Sequence, residues 1–507
     1  MKPIIVRGLV VAAALLTMVS AVDADEGMWL FNHPPLKHLK DRYRFSPDQK
    51  WLDHVRLSSV RFNSGGSGSF VSADGLVMTN HHVGADTLQK ISTAEKNYMR
   101  DGFYAKTRAE EVKALDLELN VLQSIEDVTA RVNAAVKPNM PSAEAFAARR
   151  KVTADIEKES LEKTGLRSNV ITLYQGAEYH LYRFKKYTDV RLVFAPEQQI
   201  AFYGGDPDNF EYPRYDLDIC FFRVYENDKP AKIEHYLTWS KSGCDDGELV
   251  FVSGHPGNTD RLNTVAELEY LRDRQYPYTL QRLNRLEVLL SAYSARSDEN
   301  ARRAREDLFS IQNSRKARNG GLAGLMDPAI MGKKKTDETA LRDACAKDPK
   351  LKEYAGAWDT IAKAVARQKE LALEYNLIEG GRGRPAAFNS HLFQIARTLL
   401  RGGDERLKPN GDRLQEYRDS NLESLQFQLF SEEPIYDDLE QLEFADSLTY
   451  LAEALGYDNP TTQLVLAGKS PHERARELIQ GSKLKDVAVR KKLYEGGEKA
   501  IDASQDP

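Results

Sequence analysis

The sequence predicts two halves of different class, an all-β-like half followed by a mostly α-helical half. Three observations carry this. Between about residues 55 and 260, apolar residues come in short runs separated by turn chemistry. From about 262 they recur at three- and four-residue spacing. The glycine pairs Gly320-Gly321, Gly380-Gly381 and Gly402-Gly403 punctuate the second half and are expected to separate its helices.

The elements follow in chain order. Lys2 and Arg7 precede an apolar run from Gly8 to Val22, and Val19-Ser20-Ala21 and Val22-Asp23-Ala24 are both small-residue cleavage sites. The run is short for a membrane span and turns acidic at Asp23, Asp25 and Glu26. It predicts a secretory signal over 1–24, with a membrane anchor as the alternative. The mature chain then starts near Asp25, exported to the periplasm, the cell surface or the medium. No later stretch is apolar enough to span a bilayer, so no membrane anchor is expected.

Ser69-Phe70-Val71, an Ala-Asp-Gly turn at 73–75 and Leu76-Val77-Met78 predict a hairpin. Val190, Leu192 and Phe194 alternate along a strand that Pro196 closes. Ile219 to Val224 and Leu249 to Val252 are apolar runs expected to be strands. One helix, about 143–163, interrupts this half. In the second half Leu280, Leu283, Leu286, Leu290 and Tyr293 keep helical spacing, and further helices are predicted around 339–375, 389–401, 437–455 and 471–495.

A length of 507 residues allows two to four domains. The 71 basic and 76 acidic side chains interleave to a net charge of −5, which gives no case for nucleic acid or a membrane surface as partner. The three cysteines, Cys220, Cys244 and Cys345, have no zinc spacing; two can pair or all can be buried thiols. No metal or cofactor is implied.

One segment has the layout of a general base. From Gly65 to Val83 a Gly-rich entry leads into the hairpin, and Thr79-Asn80-His81-His82 stands where the second strand ends. A base needs a rigid strand behind it and an open cleft in front, and an imidazole titrates near neutral pH. Thr-Asn-x-His-Val after a hairpin resembles the histidine loop of trypsin-like and HtrA-like peptidases. That resemblance makes His82 the base and His81 structural.

A second segment runs from Phe202 to Tyr225. Its Gly204-Gly205-Asp206-Pro207-Asp208-Asn209-Phe210-Glu211-Tyr212-Pro213-Arg214, followed by Asp218-Ile219-Cys220-Phe221-Phe222-Arg223-Val224-Tyr225, resembles the bacterial dipeptidyl-peptidases 7 and 11, serine peptidase family 46. The resemblance covers most of the mature chain. It implies a chymotrypsin-like double β-barrel with an inserted helical domain, and release of dipeptides from peptide N-termini. It makes Asp218 the triad aspartate, with Asp216 as local competitor. Asn209 matches the residue that binds the substrate's free α-amino group, and Phe210 stands where relatives usually have Trp. Relatives also carry a cysteine pair at the positions of Gly66 and Val83, a bridge absent here as a unit. Partners implied are peptides with a free N-terminus, and a second copy in a homodimer.

The resemblance places the nucleophilic serine in a Gly-Asn-Ser-Gly-Ser-Pro-like loop after the helical insert, and nothing after Asp218 fits. Ser240, Ser242, Ser253 and Ser470 have the wrong context, and Ser67 imitates the motif but precedes His82. The expected layout is a signal at 1–24, a β-barrel portion with His and Asp at 25–261, a helical insert at 262–498 and a polar tail at 499–507. The second barrel is incomplete, through truncation or in a shortened, inactive relative. The functions to be separated are an exported serine dipeptidyl-peptidase, a non-catalytic peptide-binding relative and an HtrA-like endopeptidase.

Overall fold

The computed structural model describes residues 27–257, 259–380 and 385–507, so the predicted signal over 1–24 lies outside the described residues. The fold is mixed, with an antiparallel sheet in the first half and many helices in the second.

Eleven strands form the sheet: β1 (Ser59–Phe62), β2 (Ser67–Phe70), β3 (Leu76–Thr79), β4 (Phe103–Tyr104), β5 (Val112–Lys113), β6 (Leu119–Asp127), β7 (Arg167–Leu173), β8 (Glu178–Tyr187), β9 (Asp189–Ala195), β10 (Cys220–Glu226) and β11 (Lys229–Pro230). Their main order is β4-β9-β10-β3-β2-β1-β6-β8-β7, with β11 on β10 and β5 on β9. The predicted hairpin is β2–β3, in register Ser69↔Met78 and Phe70↔Val77. Its turn needs a glycine: Gly75 has φ +74°, and a Cβ there would lie 2.8 Å from the Val224 carbonyl. Alternation along the strands sends Val60, Phe62, Phe70, Val77, Leu192 and Phe222 into one core. Each such side chain contributes about 1.5–3 kcal/mol by leaving water.

The first half holds more helix than its sequence predicts. Besides Ser142–Thr164, where one was expected, it contains Leu36–Tyr43, Gln49–Ser58 and His81–Ile91. The second of these is capped by Asp48, whose carboxylate accepts from Trp51 N–H at 2.8 Å. The expected strand at 249–252 does not form. Val250 and Val252 are 63% and 102% exposed, and no described strand lies alongside to complete a ladder. An apolar run alone does not make a strand without a hydrogen-bonded neighbour.

The second half begins with a capping box in which Thr264 and Glu267 satisfy each other's backbone at the start of Val265–Tyr270. The long helices that follow are Tyr276–Ser294, Arg305–Met326, Pro328–Lys347, Ala357–Ile378, His391–Leu407, Asp437–Leu455, Pro471–Gly481 and Val487–Asp502. Two expected breaks are absent: Gly320-Gly321 and Gly402-Gly403 lie inside helices. They are contact points instead, since a Cβ on Gly321 would lie 3.0 Å from the Tyr276 ring and one on Gly403 3.2 Å from Ile501 Cδ1. The expected helices at 339–375 and 471–495 are each two helices, and the expected tail from 499 includes the last turn of Val487–Asp502. Leu392, Leu399, Phe444, Leu448 and Leu451 build this half's largest core. Among the described residues no helix is long and apolar enough to cross a membrane.

The halves meet along one face of Arg305–Met326. Phe309 packs edge-on to Phe202 with ring centroids 4.9 Å apart, and Arg305 bonds the Gln198 side-chain oxygen. A second tie is ionic: Lys90 meets Asp86 at 3.0 Å, Asp116 at 2.8 Å and Glu433 at 2.9 Å.

Candidate active site

Strand register brings the two leading candidates together. Cys220 of β10 pairs with Thr79 of β3, antiparallel. Asp218, two residues before Cys220, therefore lies beside the residues that follow Thr79. Asn80 is the N-cap of His81–Ile91, but its side chain does not cap its own helix. The Asn80 amide donates to the Asp218 carbonyl and Oδ2, both at 3.2 Å. Asp218 supplies the missing cap: Oδ1 accepts from the His82 backbone N–H at 3.0 Å. Its Oδ2 lies 2.7 Å from His82 Nδ1.

One carboxylate thus holds both backbone and ring of the same residue. With Nδ1–H donating to Asp218, the other ring nitrogen, Nε2, is the free acceptor, which is the tautomer a general base requires. The hydrogen bond to Asp218 raises the His82 pKa above its ordinary value, against a lowering by burial; the charges of Asp218 and Glu306 add to the rise and that of Arg214 opposes it. Burial pushes Asp218 up, but the bonds and charge of His82 outweigh it and leave its pKa below the ordinary value.

His81 points elsewhere. It is buried, burial lowers its pKa, and it bonds the Pro196 backbone. Asp216 does not face His82 but pairs with Arg214 at 3.0 Å. Asn209 is buried next to the seam: Arg214 donates to its Oδ1 at 3.2 Å, and its amide donates to Asn313 Oδ1 at 2.9 Å. Phe210 follows with φ +63°, an unusual backbone for a non-glycine residue, and its ring is exposed. Among the described residues no group of three or more His, Cys, Asp or Glu side chains has the layout of a metal site.

The family described as Peptidase S46 matches residues 24–507. The chain belongs to the peptidase S46 family. It is 34% identical over 274 residues to a dipeptidyl-peptidase 7 of Phocaeicola vulgatus, covering 48% of this chain and 37% of that protein. It is 30% identical over 433 residues to an Asp/Glu-specific dipeptidyl-peptidase of Shewanella putrefaciens, covering 82% of this chain and 57% of that one. These matches span well under two thirds of the relatives' length. In fold it is similar to Porphyromonas endodontalis DPP11 in complex with the dipeptide Arg-Glu, with a TM-score of 0.71 at 22% identity over 96% of this chain and 72% of that one.

Other features of this S46 chain fall into place around the pair. Gly66 and Val83, the positions at which the resemblance implies a cysteine pair in relatives, touch, since a Cβ on Gly66 would lie 2.6 Å from Val83 Cγ2. All three cysteines are free thiols, Cys220 and Cys345 buried and Cys244 exposed. Among the described residues no serine hydroxyl bonds His82. Ser67 Oγ accepts from the His255 backbone N–H at 2.7 Å. Ser253 bonds Ser59 at 3.0 Å, Ser240 donates to the Gly243 carbonyl at 3.0 Å and Ser470 caps a helix. Sequence reading missed Asn313, Arg214 and Glu306. Their part in the site comes from one helix face meeting one loop 100 residues away in sequence. Only the spacing of Glu306, Phe309, Asn313 and Lys316 along one face hinted at it.

Proposed function

We propose that this chain is the His- and Asp-bearing portion of an exported serine exopeptidase that releases dipeptides from peptide N-termini. The observation that carries it is the His82–Asp218 pair with a free Nε2, placed beside the loop that holds Asn209 and Phe210. In this reading His82 takes the proton of a serine hydroxyl as that oxygen attacks the scissile carbonyl. It then gives the proton to the leaving amine. Asp218 holds the tautomer and balances the imidazolium. Asn209 and Phe210, with Asn313 behind them, receive the α-ammonium, which must keep hydrogen bonds when it leaves water. The nucleophile and part of the oxyanion hole come from sequence beyond residue 507, in the second barrel of a chymotrypsin-like double β-barrel into which the helical half is inserted. The mature protein acts outside the cytoplasm, in the periplasm or at the cell surface, as a homodimer.

The test expresses residues 25–507 and a version extended through the downstream reading frame, and assays both on dipeptidyl-coumarin substrates. The extended form is expected to release dipeptides and the short form to be inert. An inert extended form with an intact fold favours a non-catalytic peptide binder. Turnover by the short form that disappears in Ser67→Ala makes Ser67 the nucleophile and overturns this arrangement.

A further inference from the structure

The face of Arg305–Met326 turned to the sheet half carries Glu306, Phe309, Asn313 and Lys316, at helical spacing. Three of these have defined partners. Phe309 packs on Phe202, Asn313 accepts from Asn209, and Lys316 Nζ donates to the carbonyls of Asp206 and Pro207 at 2.6 and 2.9 Å. Glu306 differs, because its Oε2 is buried with no hydrogen-bond partner.

Among the described residues other buried carboxylates are satisfied: Glu118 meets Arg167, Glu157 meets Arg418 and Glu405 meets Lys408, while Glu440 accepts from the Ser390 hydroxyl and the backbone N–H groups of His391 and Leu392. The charged groups that act on Glu306 are His82 and Asp86 of the helix His81–Ile91 and its own neighbour Asp307. Asp86 is engaged with Lys90 at 3.0 Å. Arg305, beside Glu306, is turned to Gln198, and Arg214 is engaged with Asn209 and Asp216. Of the groups that act on Glu306, His82 is the one that can carry a positive charge. Burial pushes the Glu306 carboxyl up to about 8, with the charges of Asp86 and Asp307 adding to the rise and His82 opposing it.

We propose that Glu306 is a positioning residue for the base, a second carboxyl that the helical half brings up to stabilise the imidazolium of His82. The proposal rests on the reading of His82 as general base. Asp218 spends both oxygens on the His82 backbone N–H and Nδ1, so further stabilisation of the charged ring has to come from another group. When Nε2 gains a proton, the new positive charge favours ionised Glu306, whose proton leaves to water. No bond forms between the two residues; their titrations are coupled through space. Because the carboxyl arrives on the helical half, the base is fully tuned only when that half is seated on the sheet.

The experiment follows the His82 imidazole by NMR against pH in the 507-residue chain, labelled at histidine and assigned with His82→Ala. Glu306→Gln keeps shape and removes the charge. It is expected to lower the His82 pKa by ~0.5 unit or more and to remove the second inflection that Glu306 imposes above neutral pH. Glu306→Asp restores a carboxyl and should recover at least half of the shift. An unchanged His82 curve in a folded Glu306→Gln protein overturns the proposal, as does Glu306→Asp behaving like Glu306→Gln. If Glu306→Gln does not fold, the carboxyl carbon of Glu306 in the unmutated chain decides: titration below about pH 6 overturns the coupling, and titration above 7 that shifts in His82→Ala supports it. None of these measurements needs turnover. An unmoved His82 sinks the role of Glu306 alone, and an inert extended enzyme with a shifted His82 sinks the peptidase reading alone.

Discussion

The two sides of the cleft differ in how completely their polar groups are used. On the sheet side Asp218 accepts from Asn80 and from both the backbone and the ring of His82. On the helical side and the loop it meets, Glu306 Oε2, Arg214 Nε and Asp206 Oδ1 are buried without hydrogen-bond partners. Leaving such a group unpaired costs about 1–3 kcal/mol. On the sheet side strand register sets Asp218 against His82, so that pair is in place before anything binds, although His81 Nε2 beside it is also buried without a partner. The helical side keeps capacity in reserve, where a ligand or a change in charge can use it. Preorganisation thus falls to the strands, and the unused polar groups to the 202–217 loop together with the helix Arg305–Met326 that it meets.

The sharpest way to break that contrast is to damage each side in an active, extended chain. Asp218→Asn keeps the shape of the carboxylate but favours the wrong imidazole tautomer, and a kcat loss of about 10⁴-fold with little change in KM is expected. Asn313→Ala removes only the acceptor behind Asn209 and should act chiefly on KM, by about 10-fold. Steady-state kinetics on one dipeptidyl substrate checks both. Equal effects on kcat would mean that the two sides do not divide the work.

Between these two in free energy lies the seam. Lys90→Met leaves Asp86, Asp116 and Glu433 facing one another without their cation, and because the network is only half-buried, with Asp86 42% exposed, the loss should be about 2–3 kcal/mol. Urea unfolding should show the loss. A change below about 1 kcal/mol would mean that apolar contacts such as Phe309 on Phe202 hold the halves together without it.

How far the sequence could be read follows the same division. The β2–β3 hairpin was legible because its Ala-Asp-Gly turn and alternating strands are local. The placement of His82 at the end of β3 follows from the same few residues. Asp218 was legible through its motif, and the register Cys220↔Thr79 explains why that residue and not Asp216 reaches the imidazole. Long-range facts were not legible. Leu249 to Val252 has strand chemistry but no strand beside it among the described residues. Gly321 and Gly403 look like breaks, yet they are flat places where Tyr276 and Ile501 come close. Glu306 reads as one acid among many on a helix, because the burial of its unpaired Oε2 exists only after the halves dock.

The smallest expected effect is the contribution of the His82–Asp218 pair to stability, and its pH dependence has a definite sign. The folded pKa of His82 is raised above the ordinary 6.5. Its contribution is therefore complete below 6.5 and fades as the pH climbs through the folded value. The folded pKa of Asp218 is lowered below the ordinary 3.8, so its contribution is complete above 3.8 and fades as the pH falls through its folded value. The charge attraction is thus greatest between those two ordinary values. The imidazole is 52% exposed, so water screens the attraction to under about 1 kcal/mol. Unfolding free energies of the chain and of Asp218→Asn, compared at about pH 5.5 and about pH 8.5, should differ more at the lower pH, by roughly 0.5 kcal/mol. At the higher pH the neutral ring still donates from Nδ1 and the backbone N–H of His82 still needs its cap, so a residual difference should remain. A gap that widened toward alkaline pH would reverse the sign. It would mean that Asp218 serves mainly as a helix cap, with the imidazole held by something other than its charge.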